Sequence, residues 1–174
     1  MGYNPKIHHR QSIRLKNYNY SAEGFYFITI CTQNRECILG NIENITINMN
    51  DVCVGAHICA QIKLTKIGTI VKDCLHRLEE MYTYIKLHNF IIMPNHIHMI
   101  LEIERSFRAQ ICAPTKTIGQ IIRGLKAGIS GMVGYSIWQR NYYEHIIRNE
   151  NELYKTIEYI QYNPLNWEKD KYYK

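Results

Sequence analysis

The chain has 174 residues, 46% of them hydrophobic, and a formal net charge of +6. That length fits one domain with a single buried core, and no apolar run approaches the roughly 20 residues of a membrane-spanning helix. Residues 1–20 carry Lys6, Arg10, Arg14 and Lys16 but no apolar segment, so they read as a basic tail rather than a secretory signal, and a cytoplasmic protein is expected. The cysteines (Cys31, Cys37, Cys53, Cys59, Cys74 and Cys112) include no CxxC pair, which favours reduced packing residues over a zinc site. Basic charge is concentrated: besides the tail, residues 104–148 hold Arg105, Arg108, Lys116, Arg123, Lys126, Arg140 and Arg148 against Glu104 and Glu144. Such clustering suits a polyanionic partner.

Residues 21–174 read as one domain, and its elements follow from periodicity. Residues 24–31 are dense in aromatic and β-branched side chains and predict a buried strand. Residues 40–62, rich in asparagine, predict an extended loop or hairpin excursion. Over residues 65–82, Ile67, Ile70, Val71, Cys74, Leu75, Leu78 and Tyr82 recur at helical spacing and predict one helix. Residues 84–93 and 96–103 read as strands joined by a tight turn at Pro94-Asn95. Thr117 and Gln120 have the spacing of a capping box, opening a helix with Ile118, Ile121, Ile122, Leu125, Ile129 and Met132 on its apolar face and Arg123 and Lys126 off it. Residues 142–147 predict a strand, and 151–162 a last helix stopped by Pro164.

The order strand, helix, strand, strand, helix, strand matches an α+β fold, a ferredoxin-like split βαβ antiparallel sheet with helices on one face. The appended C-terminal helix is then free to lie across the other face.

Chemistry centres on Met93-Pro-Asn-His-Ile-His98. Side chains alternate along a strand, so His96 and His98 share a face, roughly 7 Å apart along the chain, while Ile97, Met99 and Leu101 face the core. Two adjacent imidazoles can share a divalent metal ion, although an HxH pair alone also fits two solvated histidines. In the last helix Leu153, Ile157 and Ile160 form a docking stripe, and Tyr159 and Asn163 project together beside it. Tyr154 with Glu158 is an equivalent pair on the other flank, and helix geometry leaves both open.

Taken together, His96-Ile-His98 after Met-Pro-Asn, Trp138 to Arg148, and Tyr159-Ile-Gln-Tyr-Asn-Pro164 resemble the REP-associated tyrosine transposases of the HUH single-tyrosine superfamily. His8-His9-Arg10 and residues 25–36 are also similar, whereas residues 41–62 and 104–116 depart from that pattern. The resemblance implies that His96, His98 and Asn163 hold a divalent metal, Mg²⁺ or Mn²⁺, and that Tyr159 rather than Tyr154 is the nucleophile. It further implies metal-dependent cleavage and strand transfer of single-stranded, hairpin-forming DNA through a 5′-phosphotyrosine, by a monomer or a homodimer. Trp138, Arg140, His145 and Arg148 match recurring family positions without individual roles. Phosphate contacts are expected from Arg10, Arg14, Lys16, Arg123, Lys126, Arg140 and Arg148. Two other readings share this fold: a non-catalytic nucleic-acid module stacking bases on residues 25–29, and a metal-dependent DNA hydrolase in which water attacks.

Overall fold

Four strands form an antiparallel sheet whose spatial order interleaves two crossovers. The computed structural model describes residues 18–44, 60–104 and 116–173; Arg10, Arg14 and Lys16 lie outside them. In chain order come β1 (Gly24–Cys31), β2 (Gly40–Asn44), β3 (Ala60–Leu64), α1 (Lys66–His76), α2 (Leu78–Met81), β4 (Ile85–Ile92) and β5 (His96–Ile103). They are followed by α3 (Ile118–Val133), β6 (Tyr143–Ile147), α4 (Glu150–Tyr162) and a 3₁₀ turn at Pro164–Lys169. β5 separates β1 from β4, and β1 separates β5 from β6, which is the expected ferredoxin-like split βαβ arrangement. β2 and β3 pair antiparallel as a separate ribbon, while the rest of the segment expected as a loop or hairpin excursion, residues 45–59, lies outside the described residues.

Strand alternation sorts the two faces of the sheet. Tyr26, Ile28 and Ile30 of β1 and Ile97, Met99 and Leu101 of β5 are buried against Val71, Leu75 and Leu78 and against Ile121, Ile122, Leu125 and Ile129. The expected capping box of α3 forms: Thr117 Oγ1 accepts from the Gln120 N–H, and Gln120 Oε1 accepts from the Thr117 N–H. Met132, expected on this apolar face, is 55% exposed and lies beside Cys74 of α1, whose thiol points to its sulfur at 3.5 Å. The single helix expected over 65–82 is two. Arg77, at φ −78° and ψ −6°, closes the turn of α1 with its N–H on Asp73 O and Leu75 O. Leu78 and Tyr82 still reach the core, which is why the periodicity ran through the break.

The opposite face carries α4. An isolated helix of this length is marginal in water, so its apolar stripe decides where it sits: Ile160 is buried with Ile100 and Ile147, and Leu153 and Ile157 pack beside them against Phe25, Phe27 and Ile91. Phe25 and Phe27 of β1 lie partly buried beneath that helix. Among the described residues no helix is long and apolar enough to cross a membrane.

One close approach ties the helical layer to the turn ahead of β5. Leu39 N–H donates to Pro94 O at 2.9 Å, while Leu39 O accepts from Thr65 N at 3.0 Å and lies where a Cβ on Gly68 would be, 1.9 Å away. Gly68→Ala must push backbone apart and is expected to lower stability by about 1–3 kcal/mol or more. Gly128→Ala, at an exposed helical position with open space around it, is expected to raise stability by about 0.5–1 kcal/mol. Thermal unfolding of the two variants checks the pair; equal midpoints would contradict this packing.

Candidate functional site

His96 and His98 project from β5 toward α4, both essentially buried, and their Nε2 atoms are 3.0 Å apart. Each imidazole is held from behind. Asn95 donates its amide N–H groups to Tyr172 O (2.8 Å) and Arg35 O (3.3 Å), so its oxygen must face His96 Nδ1, at 2.8 Å. A carbonyl oxygen accepts only, so His96 carries its proton on Nδ1 and turns a bare Nε2 lone pair into the site. His98 Nδ1 meets the Thr29 hydroxyl at 2.8 Å, and that hydroxyl can either donate or accept. The pairing register that puts Thr29 opposite His98 makes this contact a consequence of sheet geometry.

Burial favours the neutral form of both imidazoles. It depresses the His96 pKa to about 4, against the partly opposing pull of Asp170. His98 is pushed well below its ordinary value by burial, and then by the neighbouring His96 and Lys171.

The last helix supplies the rest. Tyr159 is 41% exposed, and its hydroxyl lies 3.3 Å from His98 Nε2, with its ring edge-on to Phe27. Tyr154, the rival on helix geometry alone, is 67% exposed on the other flank. Asn163 sits at the C-cap of α4 and is buried; its Nδ2 donates to Asp170 Oδ2 at 2.6 Å, while Oδ1 is buried with no hydrogen-bond partner. His96, His98 and Asp170 place ligating atoms within 4.8 Å of one another.

The start of α4 is pinned by Glu152, whose carboxylate accepts from His145 Nε2 (2.5 Å) and Arg148 N (2.8 Å). His145, which the sequence left without a role, thus ties β6 to the helix that carries Tyr159. Trp138 is buried, and its backbone bridges to Thr32, extending the edge of β1.

Among the described residues, the expected phosphate contacts are not gathered in one place. Arg123 is exposed on α3, the layer on the far side of the sheet from the histidines, while Arg140 and Arg148 are exposed on either side of β6. Lys126 is half-buried and donates to Gln139 O (2.6 Å) and Arg140 O (3.0 Å), so its ammonium organises the segment ahead of β6. Beside Tyr159 opens a cleft of about 320 Å³ lined by Phe27, Tyr143, Asn166, Lys169 and Lys171.

Sequence reasoning missed the contribution of the chain after Pro164. The 3₁₀ turn and the residues behind it fold back over β5, placing the Tyr172 ring 4.7 Å from that of His96 and the Trp167 ring 6.0 Å from it. An aspartate and two aromatics past a helix stop carry no periodic signal. The bonds of Tyr172 O to Asn95 and of Lys171 O to Arg35 fix the return.

No protein-family model matches the chain. An uncharacterised protein of Haemophilus influenzae is 40% identical to it, over 98% of this chain and 97% of the relative. A second Haemophilus influenzae protein, provisionally named a REP-associated tyrosine transposase, is 28% identical over 42% of the chain and 46% of its own length. Among solved structures, a REP-associated tyrosine transposase bound to a REP hairpin is similar in fold, with a TM-score of 0.60 at 16% identity over 88% of this chain and 74% of the other.

Burial, followed by Asp170 and Tyr172, pushes the pKa of Tyr159 up to about 12. A raised pKa favours the folded state fully below the ordinary tyrosine value near 10, and that contribution fades as pH rises toward 12. At about pH 10, where an ordinary tyrosine is half ionised, Tyr159 is expected to remain almost wholly a phenol in the metal-free protein. The difference between ultraviolet absorbance titrations of wild type and Tyr159→Phe isolates this group; half-ionisation at pH 10 would contradict the buried setting.

Proposed function

The chain belongs to one family with the uncharacterised Haemophilus influenzae protein and has the fold of the REP-associated tyrosine transposases, and from that premise we propose that it cleaves and rejoins single-stranded DNA. Tyr159 is the nucleophile, and His96, His98 and Asn163 hold a divalent cation, Mg²⁺ or Mn²⁺. The observation that carries this reading is the position of the Tyr159 hydroxyl, 3.3 Å from His98 Nε2, beside two converging imidazole nitrogens and an unpartnered amide oxygen.

The residues fit a cation. His96 Nε2 and His98 Nε2 are 3.0 Å apart, close enough for one divalent ion to take a lone pair from each. Asn163 Oδ1 supplies the oxygen donor that a hard divalent ion takes. When bound, the cation supplies a Lewis acid for a phosphate oxygen and positive charge beside the phenol.

The chain's own residues then do the following. Asn95 and Thr29 hold the imidazoles in place, and the docking of α4 brings the Tyr159 oxygen in line with the scissile phosphorus. The Oη–P bond forms as the P–O3′ bond breaks. The 3′-oxygen leaves with the electron pair and takes up a proton, while the phenolic proton passes to solvent. The product is a 5′-phosphotyrosine with a free 3′-hydroxyl. An incoming 3′-hydroxyl reverses the exchange and rejoins the strand, without a nucleotide cofactor.

The substrate is a single strand able to fold into a hairpin, by analogy with the hairpin bound to the structural neighbour. Its phosphates meet the basic tail with Arg10, Arg14 and Lys16, together with Arg140, Arg148, Lys169 and Lys171. Arg123, on the far layer, serves only a strand that wraps round the sheet edge. Tyr143, 40% exposed at the cleft, offers a ring to an unpaired base.

The test is a denaturing gel with labelled single-stranded hairpin DNA, with and without Mn²⁺, comparing wild type with Tyr159→Phe. The expected result is a metal-dependent, protease-sensitive DNA adduct that the variant lacks. Cleavage by both proteins without an adduct would establish attack by water and overturn the proposal.

A further inference from the structure

We infer that Asp170 is a positioning residue for the proposed cation site: by accepting the Asn163 amide N–H, its carboxylate turns the amide oxygen toward His96 and His98. The inference rests on the cation site proposed above and adds a residue to it from beyond the catalytic helix.

Donors and acceptors fix which way the Asn163 amide faces. Asp170 Oδ2 accepts from Asn163 Nδ2 at 2.6 Å, and Asp170 Oδ1 accepts from the backbone N–H of Tyr172 at 2.7 Å. An ionised carboxylate cannot donate, so only the NH₂ end of Asn163 can face it. The oxygen end is forced the other way, where it lies buried with no partner. An amide nitrogen has no lone pair to give a metal, so a flipped Asn163 would present two N–H groups to the cation and cease to be a ligand. The amide also neighbours His96 and Tyr159, so its orientation is felt across the whole site. Asp170 is itself close enough to ligate, its carboxylate lying within 4.8 Å of the histidine nitrogens. Ligation through Asn163 leaves both hydrogen bonds of Asp170 intact, and that is the arrangement inferred here.

Two residues exchanging roles give a direct test. Mn²⁺ affinity of the full chain is read from the electron paramagnetic resonance signal of free Mn²⁺, with circular dichroism to confirm folding of each variant. In D170N the new side chain keeps its oxygen for the Tyr172 N–H and turns an NH₂ toward Asn163, which flips. Affinity is expected to fall by about 10–100-fold, as for loss of other outer partners of metal ligands. N163A should fall by a similar factor. In the exchange N163D/D170N, the carboxylate introduced at position 163 accepts from the amide introduced at position 170, whose oxygen still takes the Tyr172 N–H. Affinity should return to within a few-fold of wild type.

Loss in D170N with wild-type affinity in N163A would make Asp170 the ligand and overturn the inference. Failure of the exchange to restore affinity, in a folded protein, would overturn it equally. Wild-type Mn²⁺ affinity in H96A would instead sink the cation site itself, a result distinct from either.

Discussion

The register between β1 and β5 is the constraint on which the rest of this protein depends. Pairing Thr29 with His98 and Cys31 with His96 puts Ile97, Met99 and Leu101 into the core and both imidazoles on the opposite face. A slip of one residue would exchange the two sets, turning the histidines toward α1 and α3 and Ile97, Met99 and Leu101 toward α4. The apolar residues that stabilise the fold and the nitrogens that give it chemistry are therefore fixed by one set of backbone hydrogen bonds. Burying Ile97, Met99 and Leu101 stabilises that register by about 1.5–3 kcal/mol for each side chain, far more than the imidazoles could contribute through their own hydrogen bonds.

The second face is built by covering it. A lone helix has no reason to lie at one angle across a sheet, and here three contacts settle the matter. Ile160 is buried between Ile100 and Ile147, Glu152 clamps His145 and the Arg148 N–H at the first turn, and Asn163 joins Asp170 at the last. Tyr159 sits between these anchors, half in contact with Phe27 and His98 and half open to the cleft. That mixed setting suits the proposed nucleophile, with enough packing to hold one rotamer and enough exposure for a polymer to reach it. Burial raises the pKa of the phenol to about 12, so the proposed reaction calls for positive charge at the site to help remove its proton.

Much of this was legible in the sequence, for identifiable reasons. Long periodic segments announced themselves: the strand at 96–103, the capped helix after Thr117, and the docking stripe Leu153, Ile157 and Ile160 all carry repeats that only one secondary structure satisfies. The His96–His98 pair followed from strand alternation, and the choice of Tyr159 over Tyr154 followed only from resemblance, since both pairs are spaced alike on a helix. The break at Arg77 was hidden because Leu78 and Tyr82 keep the apolar phase across it. Thr29 and Asn95 could be seen as residues but not as partners, because their bonds to the histidines depend on cross-strand register and on a turn. Asp170 and Tyr172 were invisible for a different reason: a short turn after a proline has no period, and its destination is set by contacts with Arg35 and Asn95 far away in the chain.

In the proposed function, one cation under Tyr159 takes lone pairs from His96, His98 and Asn163. A crystal structure of the full chain grown with Mn²⁺ tests it most directly, using anomalous scattering at the manganese edge to locate the ion. The expected result is one strong peak bonded to Nε2 of both histidines and to Oδ1 of Asn163, adjacent to the Tyr159 hydroxyl. A peak elsewhere, with His96 and His98 still hydrogen-bonded to each other, would contradict it.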